Sequence, residues 1–360
     1  MDSDRLSGPW PDVAMAPGEM LADELEARQM TQAELARRMD RPAQMINEII
    51  KEKKEITPQT ALELERVLGT PAYVWLNLER DYRYNKERLT DLERLEGQVQ
   101  RAREFPYAEM ARLEWVPATR EPLERVRELL RYFAVTDLRL VTQTQRAAYR
   151  ISGRREASPE ALAAWLRKGE IEGEKVETKS FDGARLREAL PRMRQMTQRR
   201  PEDFHTPLCA LFADCGVALV FVPHLPRTHA NGAVRWLNPS TALVQLSVLR
   251  RYDDIFWFSL FHELGHLLLH GKKEVFVEFP KAPQSEKESE ADGFASDTLI
   301  PREEFRRLQM IAPYSKAKVL AFAHSVGIAP SIVVGRLQHA DLLPRTHLNA
   351  LRTKLEISPC

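Results

Sequence analysis

The chain has 360 residues, 43% of them hydrophobic and 29% charged, enough to bury more than one domain core; a disordered or collagen-like chain is excluded. Lys+Arg 53 against Asp+Glu 52 leaves a net charge of +1, so no global field draws the protein to nucleic acid or anionic lipid, and DNA affinity must come from a local patch. The longest apolar runs, around Val217 to Val222 and Ile255 to Phe261, fall short of the roughly 20 residues that a bilayer-spanning helix needs. The opening MDSDRLSGPWPDVAMAPGEM has no basic stretch followed by an apolar one, so a cytoplasmic protein without membrane contact is expected. Cys209, Cys215 and Cys360 lack CxxC spacing, which argues against a thiolate metal site or a disulfide framework; reduced thiols are expected.

From Pro17 to about Asn85 the spacing predicts a compact domain of short helices, taken as residues 1–85. Thr31-Gln-Ala-Glu34 has capping-box spacing and opens a helix through Met39. Pro42 suits a first helical position, and Ile46, Ile49 and Ile50 give the following helix an inward face, leaving Gln44, Asn47 and Lys51 outward. Thr57-Pro58 opens a helix ending near Gly69, and Pro71 opens the next.

Residues 86–200 read as an Arg-rich helical middle region, with helices near 121–133 and 159–168. Leu89, Leu92, Leu95 and Val99 form an apolar seam of barely two heptads, better suited to packing within the chain than to a coiled-coil homodimer. From Leu208 the texture changes. VALVFVP, GAVRWL and TALVQLS are Val- and Leu-rich runs bounded by Pro, Gly and Asn, which implies a small sheet, and strongly helical stretches follow at 254–270 and 286–299. The fold class is therefore mainly α with a small β-sheet, an α+β unit over residues 201–360 joined to an all-α domain.

The most specific feature is His262-Glu263-Leu264-Gly265-His266 within IFWFSLFHELGHLLLH. At i and i+4 on a helix both imidazoles reach one Zn²⁺, and Glu263 is placed to take a proton from a water activated there. Two histidines and a glutamate in so apolar a segment would be costly without such a purpose. Catalytic zinc takes three protein ligands, and the helix Glu286 to Ala295 is the best source of the third. Glu290 is favoured because small Ala291 beside it allows close approach; Glu286 and Glu288 are expected in solvent. His270 lies a further turn along and suits a supporting position. His224, His229 and His324 are candidate oxyanion stabilisers or ordinary surface histidines.

FWFSLFHELGHLLLH followed by ESEADGFASDTLIP resembles the ImmA/IrrE family of zinc metallo-endopeptidases, and TQAELARRMDRPAQMINEIIKEKKEITPQTALELERVLGTPAYVWLNLERDYR resembles the HigA-like antitoxins of the XRE helix-turn-helix class. The resemblance implies a gluzincin-like, zincin-type peptidase fold with zinc on His262, His266 and Glu290 and with Glu263 as general base. It also implies a recognition helix starting near Pro42, so that Gln32, Arg41, Gln44, Met45, Asn47 and Lys51 are the candidate contacts to double-stranded DNA. The implied protein substrate is a helix-turn-helix repressor or antitoxin, or a toxin partner, in stress-responsive transcription regulation.

Residues 1–85 hold 11 Lys+Arg against 16 Asp+Glu, which departs from what phosphate neutralisation asks of a DNA-binding domain. The positive charge is concentrated, however, with Arg37, Arg38, Arg41, Lys51, Lys53 and Lys54 flanking the proposed recognition helix. A competing reading makes the chain an antitoxin or repressor that binds its own operator and keeps the peptidase fold as a scaffold; another makes the first domain a protein-docking module. On the enzyme reading, substrate lies extended along a sheet edge near TALVQLS.

Overall fold

The computed structural model describes residues 16–141, 158–247, 251–271, 275–278 and 285–355, and Cys360 lies outside them. The chain divides into two compact units, Met1–Gly97 and Gln98–Cys360. No single helix among the described residues is long and apolar enough to cross a membrane.

The first unit is all helical, with α1 (Pro17–Ala27), α2 (Gln32–Arg38), α3 (Ala43–Ile50), α4 (Pro58–Leu68) and α5 (Ala72–Glu96). Local signals set its boundaries. Thr31 Oγ1 accepts the Glu34 amide at 3.1 Å, Thr57 caps α4 through the Thr60 amide, and Gly69 ends α4 at φ 78°, a conformation that needs no Cβ. Two details depart from the sequence reading. The capping box is only half formed, because the Glu34 carboxylate turns to Arg37 and Arg38 instead of back to Thr31. The seam is broken too, since α5 ends at Glu96 and Val99 begins a separate short helix. Leu21, Leu35, Ile46, Ile49, Leu64 and Trp75, none more than 1% exposed, make the core.

The second unit starts with α6 (Val99–Ala102), α7 (Tyr107–Arg112), α8 (Pro122–Phe133), α9 (Pro159–Gly173), α10 (Gly183–Met196) and α11 (Pro201–Asp214). The sheet strands β1 (Val217–Val222), β2 (Gly232–Asn238) and β3 (Thr241–Ser247) come next, then β4 (Arg251–Tyr252), α12 (Asp253–Leu269), β5 (Phe276–Glu278) and α13 (Glu286–Leu299). The chain closes with α14 (Arg302–Met310), α15 (Lys316–Val326), α16 (Pro330–His339) and β6 (Lys354–Leu355). The main sheet runs β1-β3-β2-β5, with β1 parallel to β3 and the other pairs antiparallel.

TALVQLS, near which the sequence reading expected a sheet edge for substrate, is not itself an edge. That segment is β3, paired on both sides, and the strand at the border of the sheet on the β2 side is β5. Cys215 is a buried free thiol.

α12 is the buried spine of this unit. Phe256, Trp257, Leu260, Phe261 and Leu264 are each at most 4% exposed. Its first turn is anchored by carboxylates that suit a helix N-terminus: Asp253 accepts from Ser331 Oγ at 2.7 Å and from the Thr353 amide at 3.0 Å, and Asp254 pairs with Arg352 at 2.8 Å. Burial raises both aspartates above the ordinary carboxylate range, against the bonds that they accept. The spine is thereby tied to α16 and to the segment before β6.

Candidate metal centre

The apolar face of α12 turns to the core, and its polar residues converge on α13 and β2. His262 and His266 are 2% and 1% exposed and Glu263 is 0% exposed. The close approach of α12 and α13 depends on Gly265, where an added Cβ would lie 3.0 Å from Ala291 Cα. At that crossing a carboxylate of α13 reaches the two imidazoles.

The carboxylate is Glu288, not Glu290. Glu288 Oε2 lies 3.2 Å from His262 Nε2 and Glu288 Oε1 lies 3.5 Å from His266 Nε2, while the two Nε2 atoms are 3.0 Å apart. Glu290, named from the sequence as the third ligand, has a side chain 53% exposed and bonds instead to His270 Nε2 at 2.9 Å. Helix phase is the reason. The buried stripe of α13 runs through Ala291, Ala295 and Leu299, and extending it back by three residues lands on Glu288. Glu290 is two positions further on, rotated about 200° around the helix.

Four ligands about 2.0–2.1 Å from zinc at tetrahedral angles stand about 3.4 Å apart. The two Nε2 atoms are 3.0 Å apart, one Glu288 oxygen lies 3.2 Å from the first and the other 3.5 Å from the second, and one donor atom from each of the three residues lies within 4.8 Å of the others, a spacing that could hold a metal ion. Sequence reasoning also missed Asp292, whose Oδ1 sits 2.8 Å from His262 Nδ1, one turn beyond Glu288. It holds the ring with Nε2 directed at the cluster.

The buried groups of the cluster shift one another strongly. For His262, burial works against the charged form, but Asp292 and Glu288 more than offset it and push the imidazole up to about 11. For Glu288, burial works upward and the two histidines overcome it, pulling the carboxyl down to about 2. His266 is lowered, chiefly by burial.

Glu263 is the outlier. Both carboxylate oxygens are buried and neither has a hydrogen-bond partner among the described residues, and burial, opposed by His262 and reinforced by Glu278, raises its pKa well above the ordinary value. A buried carboxylate without a partner is costly, so its retention points to a group that it meets in function. Gly232 of β2 makes room for it: a Cβ there would collide with Glu263 Oε1 and stand 2.9 Å from Cδ and Cγ. Glu278 faces the same region from β5, held by Asn231 Nδ2 at 3.0 Å. His224 and His229, half-buried, sit on the segment joining β1 to β2 with ring centroids 6.4 Å apart. His324 lines a different cavity, of about 480 Å³, with Asp253 and Trp257.

In the first unit, Gln32, Gln44 and Lys51 are exposed and Asn47 is half-buried. Met45, taken with the outward set, is buried in the helical core because it follows the same inward stripe as Ile46 and Ile49. Arg41 is engaged by Glu63 through two bonds of 2.7 and 3.0 Å, and Gln44 Nε2 donates to Glu48 at 2.8 Å.

The chain thus combines a unit of short helices with a second unit that holds a buried histidine–carboxylate cluster. A family model described as IrrE N-terminal-like domain (Peptidase_M78) matches residues 253–337, and one described as Helix-turn-helix matches residues 21–75. Virulence-associated protein I of Dichelobacter nodosus is 39% identical over 70 residues, which are 19% of this chain and 65% of that protein, so the chain spans about two thirds of this relative's length. An addiction module antidote protein of a HigA family from Coxiella burnetii is 30% identical over 24% of this chain and 94% of its own, with a TM-score of 0.22. The Pseudomonas aeruginosa antitoxin HigA, solved with the higBA promoter, is 30% identical over 24% of this chain and 95% of its own, with a TM-score of 0.23. Residues 253–337 thus form an IrrE-like Peptidase_M78 domain and residues 21–75 an XRE-type helix-turn-helix domain.

Proposed function

We propose that this chain is a zinc-dependent endopeptidase acting on a cytoplasmic protein regulator, a repressor, antitoxin or toxin partner, with its first unit docking on DNA or on that partner. The observation that carries the reading is the buried carboxylate of Glu263, without a hydrogen-bond partner among the described residues, beside the donor cluster of His262, His266 and Glu288. Those three residues would hold the ion, and zinc there supplies Lewis acidity that polarises a peptide carbonyl and acidifies the attacking water. His/His/carboxylate ligation suits zinc among the common divalent ions.

The chain's own residues do the proton work. Glu263, with its proton affinity raised by burial, takes a proton from water as the water attacks and returns it to the departing amine. Asp292 keeps His262 in one tautomer. The substrate lies extended against the outer edge of β5, which pairs with β2 on its inner side and presents Glu278 toward Glu263. Docking by the rest of the chain sets selectivity. Incubating the zinc-loaded chain with a proteome-derived peptide library, alongside Glu263→Gln, tests the reading: cleavage by the first and not the second supports it, and cleavage by both refutes it.

A second activity, binding of a double-stranded operator as a repressor or antitoxin, is favoured by the exposed Gln44 and Lys51 on either end of α3. Gln44→Ala should weaken binding to the gene's own upstream DNA about tenfold with little change on unrelated DNA, since one bidentate base contact is worth about 1–3 kcal/mol. Lys51→Ala should weaken both alike and flatten the salt dependence. A gel shift in which neither variant differs from the parent would remove the DNA-reading role and leave protein docking. A homodimer would present two such helices to half-sites about one helical turn apart.

A further inference from the structure

The two histidines of the cluster are braced in different ways. His262 Nδ1 meets the Asp292 carboxylate directly at 2.8 Å, whereas His266 Nδ1 meets another imidazole, His270 Nδ1, at 3.1 Å. His270 continues the line, its Nε2 lying 2.9 Å from Glu290 Oε2. The His270 side chain is 4% exposed, while Glu290 at 53% reaches the surface. Phe276 of β5 lies over the His266 ring with centroids 4.2 Å apart and 14° between planes, which restricts rotation of that ring.

Proton placement along this line is fully determined once His266 offers its Nε2 lone pair to a metal. His266 then carries its proton on Nδ1 and donates it to His270 Nδ1, and His270 carries its own proton on Nε2 and donates it to Glu290. Each donor finds an acceptor and the line ends on a carboxylate. The alternative tautomer of His270 would set two N–H groups against each other at 3.1 Å and leave Glu290 without a donor from it.

We infer that His270 and Glu290 are positioning residues for His266: the carboxylate–imidazole–imidazole line fixes the tautomer and ring orientation of that ligand and thereby strengthens metal binding. The inference rests on the metal-site reading above. It gives α13 three roles in one turn and a half, with Glu288 reaching the shared site, Asp292 bracing His262, and Glu290 bracing His266 through His270.

The test is zinc binding by the full chain, measured by competition with a chromophoric chelator, for wild type, His270→Leu and His270→Asn. Asn at 270 places an amide oxygen near where Nδ1 stood and can still accept from His266. Loss of a bracing contact of this kind costs about 10- to 100-fold in metal affinity, so His270→Leu should bind zinc that much more weakly, at an unchanged stoichiometry, and His270→Asn should recover most of the difference. In ¹⁵N-histidine-labelled, zinc-loaded protein the His266 Nδ1–H signal should be present in wild type and in His270→Asn and absent in His270→Leu. Wild-type affinity in His270→Leu would overturn the inference. Equal weakening in both variants would also overturn it, by showing that bulk rather than the acceptor matters, and a complete loss of stoichiometry in His270→Leu would make His270 a ligand instead. A wild-type chain that takes up no zinc would overturn the metal reading itself, and this one with it.

Discussion

Replacing the buried base, Glu263→Gln, is expected to lower peptide cleavage by at least 10³-fold while leaving zinc content unchanged. General base catalysis by a positioned carboxylate contributes about 10²–10⁴-fold. The amide keeps the shape of the side chain, so the packing against β2 survives, but it can neither accept the proton of the attacking water nor return one to the amine. Both Glu263 oxygens are without partners among the described residues, so no existing bond is sacrificed by the change, and the fold should be at least as stable as that of the parent. Matched turnover assays and thermal melts check both halves. A variant that cleaves at the wild-type rate would remove Glu263 from the chemistry.

The second large effect is expected from a residue with no chemistry of its own. Gly232→Ala adds one methyl group that meets Glu263 Oε1 and stands 2.9 Å from Cδ and Cγ, so the carboxylate must swing out of place. Misplacement of a catalytic group by about 1 Å can cost about 10²-fold, which sets the expected loss of turnover. The three atoms nearest the new methyl group all belong to Glu263, and zinc content is expected to stay at the wild-type level. Overpacking typically costs about 1–3 kcal/mol, and a modest fall in melting temperature should accompany the change. Turnover measured beside metal content separates this account from a general loss of fold: inactive and zinc-loaded supports it, while fully active would show that Glu263 does not need the space that Gly232 leaves.

Much of this was legible in the sequence because it is local. Thr31, Thr57 and Gly69 mark helix ends through contacts within a few residues, and the spacing of His262 and His266 puts two imidazoles on one face without reference to the rest of the chain. The third carboxylate was harder. Glu288 and Glu290 differ by two positions, and choosing between them requires the phase of α13, which the stripe Ala291–Ala295–Leu299 supplies when it is carried back one turn. The neighbour of Ala291 in sequence is not its neighbour on the helix surface. Gly232 and Glu278 were not legible at all, since their place beside Glu263 depends on β2 lying between β3 and β5. Sheet order was hidden for the same reason: β1 pairs with β3 in parallel, so β3 becomes interior although it follows β2 directly in the chain. Met45 shows the limit of assigning faces on a short helix, where one step of phase moves a side chain from the exposed face to the core.

The central claim is that His262, His266 and Glu288 bind one zinc ion. Elemental mass spectrometry of the full chain, reconstituted with equimolar zinc and desalted, tests it most directly when wild type, Glu288→Ala and Glu290→Gln are run side by side. About one zinc per chain is expected in wild type and in Glu290→Gln, and near none in Glu288→Ala, which leaves two histidines to hold the ion. Full zinc in Glu288→Ala with loss in Glu290→Gln, or no zinc in any of the three, would contradict it.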